Sequence, residues 1–467
     1  MEESESRRGS AVAVLVLVVM ALVSLQGLSA LVSDTADDPE PPDPGAGVVS
    51  PGGDVTALPL PSPAPSPSPT PAPEDVDAAG TRFVRTVHSF PRRCLRAGPR
   101  PSPGHLAAFQ GGRVSVSRPE GDAVTQIDAA PPIGWSPSGS FLATGGGELW
   151  RANGRRAGSF LPDDADLWMW SPVSDCALAV NARGRLLVVG PGLRRRTLFE
   201  RGGVEDLAFS PDGRRLGFVL AEAEGRSARS IWIADLAGGP ARRIERYTPR
   251  TPVVALLGWD ARGRRLFYAT SSGASLSADG IALRYHAARG GGCGRAGVTM
   301  LPLDAYLTRC GDRDLVVVGP GRETNLDKRL AYLTPTGPSF ITPTDATVIS
   351  PSCSPGGEFI AAVAARDGAR LSARRLVVLR PDGSFERFLA PEGFGDAYPR
   401  WGPAGTGLSF IRQRPSGRIA DVWFIREGAA ARPTPLVVAV SGNVYGHFNW
   451  ARVFDWSADP PALTPAF

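Results

Sequence analysis

Short apolar runs alternate with turn residues through most of the chain beyond residue 105. A representative stretch is Phe209-Ser-Pro-Asp-Gly213, followed by the apolar run Arg-Arg-Leu-Gly-Phe-Val-Leu. Runs of this length, bounded by Gly, Pro, Asp and Ser, are typical of strands and too short for most helices. The pattern therefore predicts an all-β fold of many short strands joined by tight turns.

One motif recurs eight times in this region, at a mean spacing near 46 residues. It consists of an aromatic residue, a turn of the Ser-Pro or Asp-Gly type, and an apolar run. The aromatic positions are Trp135, Trp170, Phe209, Trp259, Trp401 and Trp456, and the remaining two repeats have Leu307 and Cys353 instead. This period suits four-stranded β-propeller blades, because the aromatic packs between neighbouring sheets while Pro and Gly set the φ angles of the turn.

The two ends of the repeat region predict how the propeller closes. Residues 106–128 contain three strands with no first strand before them, whereas Phe454-Asp-Trp456 is a first strand with none after it. Together they make one composite blade, and this closure removes sheet edges that would otherwise aggregate. We expect eight blades, or seven if the short stretch at 135–170 is not a complete blade.

The repeat resembles that of the TolB-type propellers, in which Trp-Ser-Pro-Asp-Gly precedes one strand and a later strand ends before an Asp-x-Asp-Gly turn. The best copy is Phe209–Gly213, with Ser230-Ile-Trp-Ile-Ala-Asp235 as its later strand. The resemblance covers about residues 105–460. It implies a propeller that acts mainly as a scaffold or binding surface.

The first 80 residues are organised differently. Ala11–Val32 is uncharged and apolar, and a helix of this length would span the roughly 30 Å of a bilayer core. Arg7 and Arg8 precede it, so the positive-inside rule places the N-terminus in the cytoplasm. Cleavage after Ser29 is the alternative and would give a secreted protein. The predicted divisions are a cytoplasmic tail at 1–10, a transmembrane signal-anchor at 11–33, an acidic Pro-rich disordered stalk at 34–80 and the propeller at 81–467.

Charge is distributed unevenly between these parts. Residues 1–80 carry a net charge of −10 and residues 81–467 carry +15, with Lys328 as the single lysine. Such an arginine excess fits either GC-rich codon usage or a basic surface that attracts anions. The candidate anion-binding residues are Arg194, Arg195 and Arg196, and the candidate aromatic platforms are Trp168 and Trp450.

The expected partners follow from location and charge. We predict a single-pass protein of the cell membrane whose extracellular propeller binds an envelope protein or an anionic wall polymer. Nucleic acid is not an expected partner outside the membrane, despite the basic charge. The oligomeric state stays open.

Five cysteines lie beyond the predicted anchor, in an oxidising compartment where they can pair. The loops after the first and third strands of a blade lie on the same face of the disc, and Cys293 and Cys310 fall in two such loops of adjacent blades. We therefore expect a Cys293–Cys310 disulfide. Cys353 takes the place of a packing aromatic and is expected to be a buried thiol, and Cys94 and Cys176 stay unassigned.

Catalytic sequence motifs are missing from the chain. It contains no G-x-S-x-G elbow, phosphate-binding loop, H-E-x-x-H or C-x-x-C motif, and we expect no cofactor and no metal site. Asp206, Asp260 and Asp455 adjoin repeat aromatics and could face the central channel. A non-catalytic binding or scaffold module is therefore the first hypothesis, and an enzyme using the propeller mouth, such as a lyase or glycosidase, is the alternative.

Overall fold

The computed structural model describes most of the chain between residues 85 and 456. The described residues are 85–95, 104–118, 124–159, 161, 165–190, 192, 195–199, 203–221, 228–247, 253–271, 281–290, 292–300, 306–319, 327–366, 368–369, 373–389, 395–402, 405, 407–413, 420–426, 433–440 and 454–456. The predicted tail, anchor and stalk lie outside them. In the part that is described, no helix combines the length and the apolar character needed to cross a membrane.

Eight antiparallel four-stranded sheets form an eight-bladed β-propeller, with one further strand added to blade 4. Blade 1 consists of β33 (Phe454–Trp456), β2 (Leu106–Gln110), β3 (Arg113–Ser117) and β4 (Thr125–Ile127). Blade 2 consists of β5 (Gly134–Trp135), β6 (Leu142–Ala143), β7 (Glu148–Trp150) and β8 (Arg156–Ser159). Blade 3 consists of β9 (Ala165–Trp170), β10 (Ala177–Asn181), β11 (Leu186–Val189) and β12 (Arg196–Phe199). Blade 4 consists of β13 (Val204–Phe209), β14 (Arg215–Ala221), β15 (Arg229–Asp235) and β16 (Gly239–Tyr247), with β1 (Arg85–Val87) as its fifth strand.

The remaining four blades follow the same order from the innermost to the outermost strand. Blade 5 consists of β17 (Val253–Trp259), β18 (Arg265–Ser271), β19 (Ile281–Ala287) and β20 (Cys293–Met300). Blade 6 consists of β21 (Leu307–Cys310), β22 (Arg313–Val318), β23 (Arg329–Thr334) and β24 (Gly337–Phe340). Blade 7 consists of β25 (Ala346–Cys353), β26 (Ile360–Arg366), β27 (Arg375–Leu379) and β28 (Phe385–Phe388). Blade 8 consists of β29 (Gly395–Trp401), β30 (Gly407–Gln413), β31 (Ala420–Arg426) and β32 (Thr434–Val440).

The predicted eight-bladed, all-β architecture is confirmed, including its closure. β33 pairs with β2 in antiparallel register, with Phe454 opposite Ala108 and Trp456 opposite Leu106. The C-terminal strand thus completes the blade that the N-terminal strands begin. Residues 134–159 form a complete blade of four short strands, so the seven-bladed alternative does not hold.

One turn geometry recurs after four of the repeat aromatics, namely Trp135, Phe209, Trp259 and Trp401. In blade 4, Ser210 N–H donates to the Arg215 carbonyl at 2.9 Å, and Gly213 N–H donates to the Ser210 carbonyl at 2.8 Å. Gly213 has a φ of 65°, and an added Cβ would come within 2.6 Å of Val173 in blade 3. Glycine is required there because other residues disfavour this φ. Equivalent turn glycines with φ between 63° and 72° are Gly139, Gly263, Gly357 and Gly405.

The repeat aromatics connect neighbouring blades. All six are buried, with at most 5% of their surface exposed. The indole N–H of Trp259 donates to the Ala208 carbonyl of blade 4 at 2.9 Å, and Trp170 and Trp401 donate to Gly134 and Ser352 in the same way. Each accepting carbonyl directly precedes the repeat position of the previous blade. A blade-to-blade hydrogen bond therefore accompanies the apolar packing.

The segment at residues 85–95 binds to blades 3 and 4. β1 pairs with the outermost strand β16, and Phe90 N–H donates to the Leu236 carbonyl at 2.7 Å. Cys94, in a 3₁₀ helix at Arg92–Leu95, forms a disulfide with Cys176 in the turn before β10. This attachment was not predicted, because three residues carry too little pattern to indicate a strand.

The predicted Cys293–Cys310 disulfide is wrong. Cys310 instead pairs with Cys353, at a Cα–Cα distance of 5.2 Å, and Cys293 is a free, exposed thiol. Cys293 begins the outermost strand of blade 5, whereas Cys310 ends the innermost strand of blade 6. Three interstrand steps of about 4.8 Å separate those radial positions, more than a disulfide can bridge. Cys353 is thus not the buried thiol that was expected.

Candidate functional site

Two of the aspartates predicted to face the channel, Asp206 and Asp455, accept hydrogen bonds from backbone N–H groups. Asp206 accepts hydrogen bonds from its neighbour Leu207 N–H at 2.7 Å and from Leu256 N–H of blade 5 at 2.8 Å. Asp455 accepts from Trp135 N–H of blade 2 at 2.7 Å and from Trp456 N–H at 2.9 Å. Both side chains therefore connect the innermost strands of adjacent blades.

Asp260 belongs to a charged network between blades 5 and 6. It accepts hydrogen bonds from Arg264 N–H and from Arg265 Nε, the latter at 3.1 Å. Asp314 of blade 6 accepts from Ala261 N–H at 2.7 Å, and its other oxygen lies 3.9 Å from Arg265 Nη2. Acidic and basic groups thus neutralise each other across the blade junction, in an arrangement that joins two turns.

Burial raises the pKa of two of these carboxylates. For Asp206 the pKa rises to about 7, because loss of solvent outweighs the two backbone hydrogen bonds that lower it. For Asp314 it rises to about 6, with burial as the main cause and nearby Asp260 as a further one. Both carboxyl groups bind protons more tightly in the folded chain than in an unfolded one.

The pKa of Asp206 predicts a pH-dependent contribution to stability. Because the folded pKa is the higher one, its contribution is full below about pH 4 and is lost as the pH rises towards 7. As the pH rises from 5 to 8, we expect the melting temperature of the unmodified protein to fall by a few degrees relative to that of the Asp206→Asn variant. Scanning calorimetry of the full chain measures this, with exposed Asp235→Asn as control. A difference that does not change with pH would contradict the assignment.

The structure separates the predicted binding residues. Arg195 and Arg196 are exposed at the start of the outermost strand β12, and Arg195 donates to the Leu161 carbonyl between blades 2 and 3. Trp168 is half-buried, packs against Trp170 with ring centroids 6.2 Å apart, and lies against Gly134 of blade 2. It is therefore part of a blade junction. Arg194 and Trp450 lie outside the described residues.

The outermost strands of blades 6 and 7 carry exposed aromatic side chains. Phe340 on β24 is 42% exposed, and Phe385 and Phe388 on β28 are 55% and 48% exposed. The two rings on β28 lie 4.7 Å apart between centroids. Among the described residues, the other large hydrophobic side chain exposed in this way is Val124, on blade 1. We call Phe340, Phe385 and Phe388 the aromatic rim.

Arginines stack on the aromatic rim. The guanidinium of Arg329 lies 4.1 Å from the ring centroid of Phe340, and that of Arg375 lies 3.8 Å from that of Phe388. A cation over an aromatic face is attracted by the ring quadrupole and holds the ring in place. This surface was not predicted from the sequence. The available signal was a short outermost strand, Phe385–Phe388, with aromatic residues where polar ones are usual.

Within the described ranges, no three His, Cys, Asp or Glu side chains come together in a way that could hold a metal ion.

Known proteins provide no family assignment for this chain. No protein-family model and no curated protein matches the chain. Among solved structures, a crystal structure of the eukaryotic initiation factor shares 15% identity at a TM-score of 0.47, over 79% of this chain and 91% of that one. A structure from an analysis of two prolyl endopeptidases shares 11% identity at a TM-score of 0.46, over 75% of this chain and 52% of that one. At these values the similarities carry no functional information.

Proposed function

We propose that this chain is a membrane-anchored, extracytoplasmic propeller of the TolB type that binds or scaffolds another protein of the cell envelope without catalysing a reaction. The apolar segment 11–33 and the acidic, Pro-rich segment 34–80 support the anchor and the stalk. The turn that recurs after four of the repeat aromatics supports the TolB-type relationship.

The aromatic rim is the observation that carries this proposal. Phe385 and Phe388 form an exposed aromatic pair, and exposed apolar patches on soluble proteins often mark binding sites. Phenylalanine and arginine are both enriched in protein interfaces, where a few aromatic and arginine side chains supply most of the binding energy. The stacking of Arg329 and Arg375 holds Phe340 and Phe388 in defined positions, so less conformational entropy is lost on binding.

Two other functions have weaker support. The exposed Arg195 and Arg196 favour an anionic wall polymer as the partner, although Arg195 is already bonded to a carbonyl group. A propeller-mouth enzyme would need carboxylates available to a substrate. Asp206, Asp260 and Asp455 instead accept hydrogen bonds from neighbouring backbone groups, which favours a structural role for them.

Substitution of the aromatic rim is expected to abolish partner binding. The variant is Phe340→Ser/Phe385→Ser/Phe388→Ser. Loss of a single interface aromatic costs about 2 kcal/mol of binding free energy, which by itself reduces affinity roughly 30-fold. The full-length chain is crosslinked in cells, purified in detergent, and its partner proteins are quantified by mass spectrometry. Val124→Ser is the matched control, because it removes an equally exposed apolar side chain on another blade.

Purification without crosslinking, at low and at high salt, separates the candidate partners. A protein bound through the aromatic rim should stay bound at high salt and be lost from the triple variant. A polymer bound through arginines should be released by salt and be unaffected by the triple variant, because exposed charges are screened. Equal recovery of partner proteins by the triple variant and the unmodified chain would disprove the proposed role of the rim.

A further inference from the structure

β28 is an outermost strand with an available edge. Among the described strands it pairs with β27 alone. A strand at the edge of a sheet presents unpaired backbone groups that can hydrogen-bond to another strand. Exposed Phe385 and Phe388 add apolar surface beside that edge. The combination is suited to pairing with a further strand, in the mode known as strand addition.

The molecule itself shows that such an edge accepts another strand. In blade 4 the corresponding outermost strand, β16, is paired along three residues with β1. Val87 lies opposite Gly239 in that antiparallel pair, and Val87 is buried there. An outermost strand of this propeller is therefore compatible with a fifth strand in its sheet.

The sequence of β28 is complementary to itself when reversed. It reads Phe385-Glu386-Arg387-Phe388. If two copies pair in antiparallel fashion about a two-fold axis, Glu386 of each lies opposite Arg387 of the other, and Phe385 lies opposite Phe388. Opposite charges and aromatic rings in directly opposing positions both stabilise antiparallel strands. A parallel pair in register would instead place like charges opposite each other.

Charge and ring positions in one copy fit this arrangement. Within the described residues Arg387 pairs with no carboxylate, whereas Glu386 pairs with the exposed Arg380 at 2.8 Å. The register of β27 and β28 shifts by one residue at this point, so Phe385 and Phe388 lie opposite Leu379 and Val377 on one face of the sheet. Two copies would therefore bring four phenylalanine rings together on one face of a continuous sheet.

We infer that β28 is a self-association edge, through which a second copy of this chain adds its own β28 to form a two-fold symmetric dimer. This inference rests on the proposed binding role of the aromatic rim and names its partner as the same chain. A two-fold interface uses the same surface on both copies, which the reversed complementarity of Phe385–Phe388 satisfies.

Charge reversal tests the pairing directly. The full-length chain in detergent is examined by sedimentation velocity, with the dimer dissociation constant as the readout. Glu386→Arg and Arg387→Glu, made separately, each place like charges opposite each other and should weaken the dimer at least tenfold. The double swap E386R/R387E restores opposite charges and should restore the dimer. Mixing the two single variants should give heterodimers, since one copy then carries two arginines and the other two glutamates.

A matched control distinguishes a local effect from a general change in charge. Arg156→Glu reverses an exposed arginine on the outermost strand of blade 2 and should leave the dimer unchanged. Melting curves for every variant establish that each is folded. A monomeric unmodified chain at about 50 µM, or single reversals that dimerise normally, would overturn the inference.

Failure of self-association is distinguishable from failure of the proposed function. If the purified chain is monomeric but the triple rim variant loses an envelope partner, the rim binds a different protein and the dimer is wrong. If the chain dimerises through β28 and no other partner depends on the rim, the dimer stands and the proposed binding of a different protein falls. If neither occurs, both proposals fall.

Discussion

Replacing Cys310 and Cys353 together with serine is expected to lower the free energy of unfolding by about 4 kcal/mol. The disulfide joins residues separated by 43 positions, and its loss allows the unfolded chain far more conformations. It also connects β21 and β25, the innermost strands of blades 6 and 7. These belong to the two repeats without an aromatic at the repeat position, so here a covalent bond replaces the aromatic contact. Denaturant unfolding of the full-length double variant measures the loss.

Cys293→Ser is the control for this substitution. Cys293 is exposed and unpaired, and its replacement should change the free energy of unfolding by no more than about 0.5 kcal/mol. Peptide mapping without reductant should recover Cys94 joined to Cys176 and Cys310 joined to Cys353. Recovery of Cys310 and Cys353 as alkylated free thiols, or a double variant as stable as the unmodified protein, would contradict the assignment.

Asp396→Ala is expected to destabilise the propeller by about 3–5 kcal/mol. Two hydrogen bonds join Asp396 to Arg412, at 2.8 and 3.1 Å, and neither side chain is more than 4% exposed. Asp396 also accepts from Leu376 N–H of blade 7 at 3.2 Å. Its removal leaves the Arg412 guanidinium buried without its carboxylate and releases a bond between blades. Burial raises the pKa of Asp396, although Arg412 opposes the shift.

Glu205→Ala provides the matched comparison. Glu205 and Arg229 also make two hydrogen bonds, at 2.6 and 3.2 Å, but on a partly exposed surface. Water competes for both groups there, so the loss should stay below about 1 kcal/mol. Equal unfolding midpoints for the two variants in the same denaturant series would show that burial of the Asp396–Arg412 pair has no special energetic role.

The blade architecture was predictable because its signals are local. Trp135, Trp170 and Trp259 each end an innermost strand, and the turn chemistry that follows them depends only on the next few residues. The composite blade was also readable, since three strands lacked a first strand at one end and Phe454–Trp456 lacked successors at the other. Repetition reinforced each signal, so the loss of the aromatic at Leu307 did not obscure the period.

The aromatic rim and the disulfides were less predictable, because they depend on how far each residue lies from the propeller axis. Cys293 and Cys310 lie at strand ends rather than in loops, and at opposite ends of the blade radius. Trp168 was predicted from the sequence to be an aromatic binding platform, whereas in the structure it packs against Gly134. The aromatic rim was missed because Phe385 and Phe388 are three positions apart, so that only a register shift places both on one face of the sheet, and because hydrophobicity alone does not distinguish an outer edge from an interior one.

The sequence by itself determined the strands, their turns and the closing strand of this protein and limited the number of blades to eight or seven, since all of these follow from short-range patterns repeated about every 46 residues. Tertiary structure alone decided which cysteines meet, which carboxylates bond across blade junctions and which phenylalanines face solvent. Those outcomes depend on distances between residues far apart in the chain, set by how the blades stack around the axis. A local pattern contains no measure of that distance.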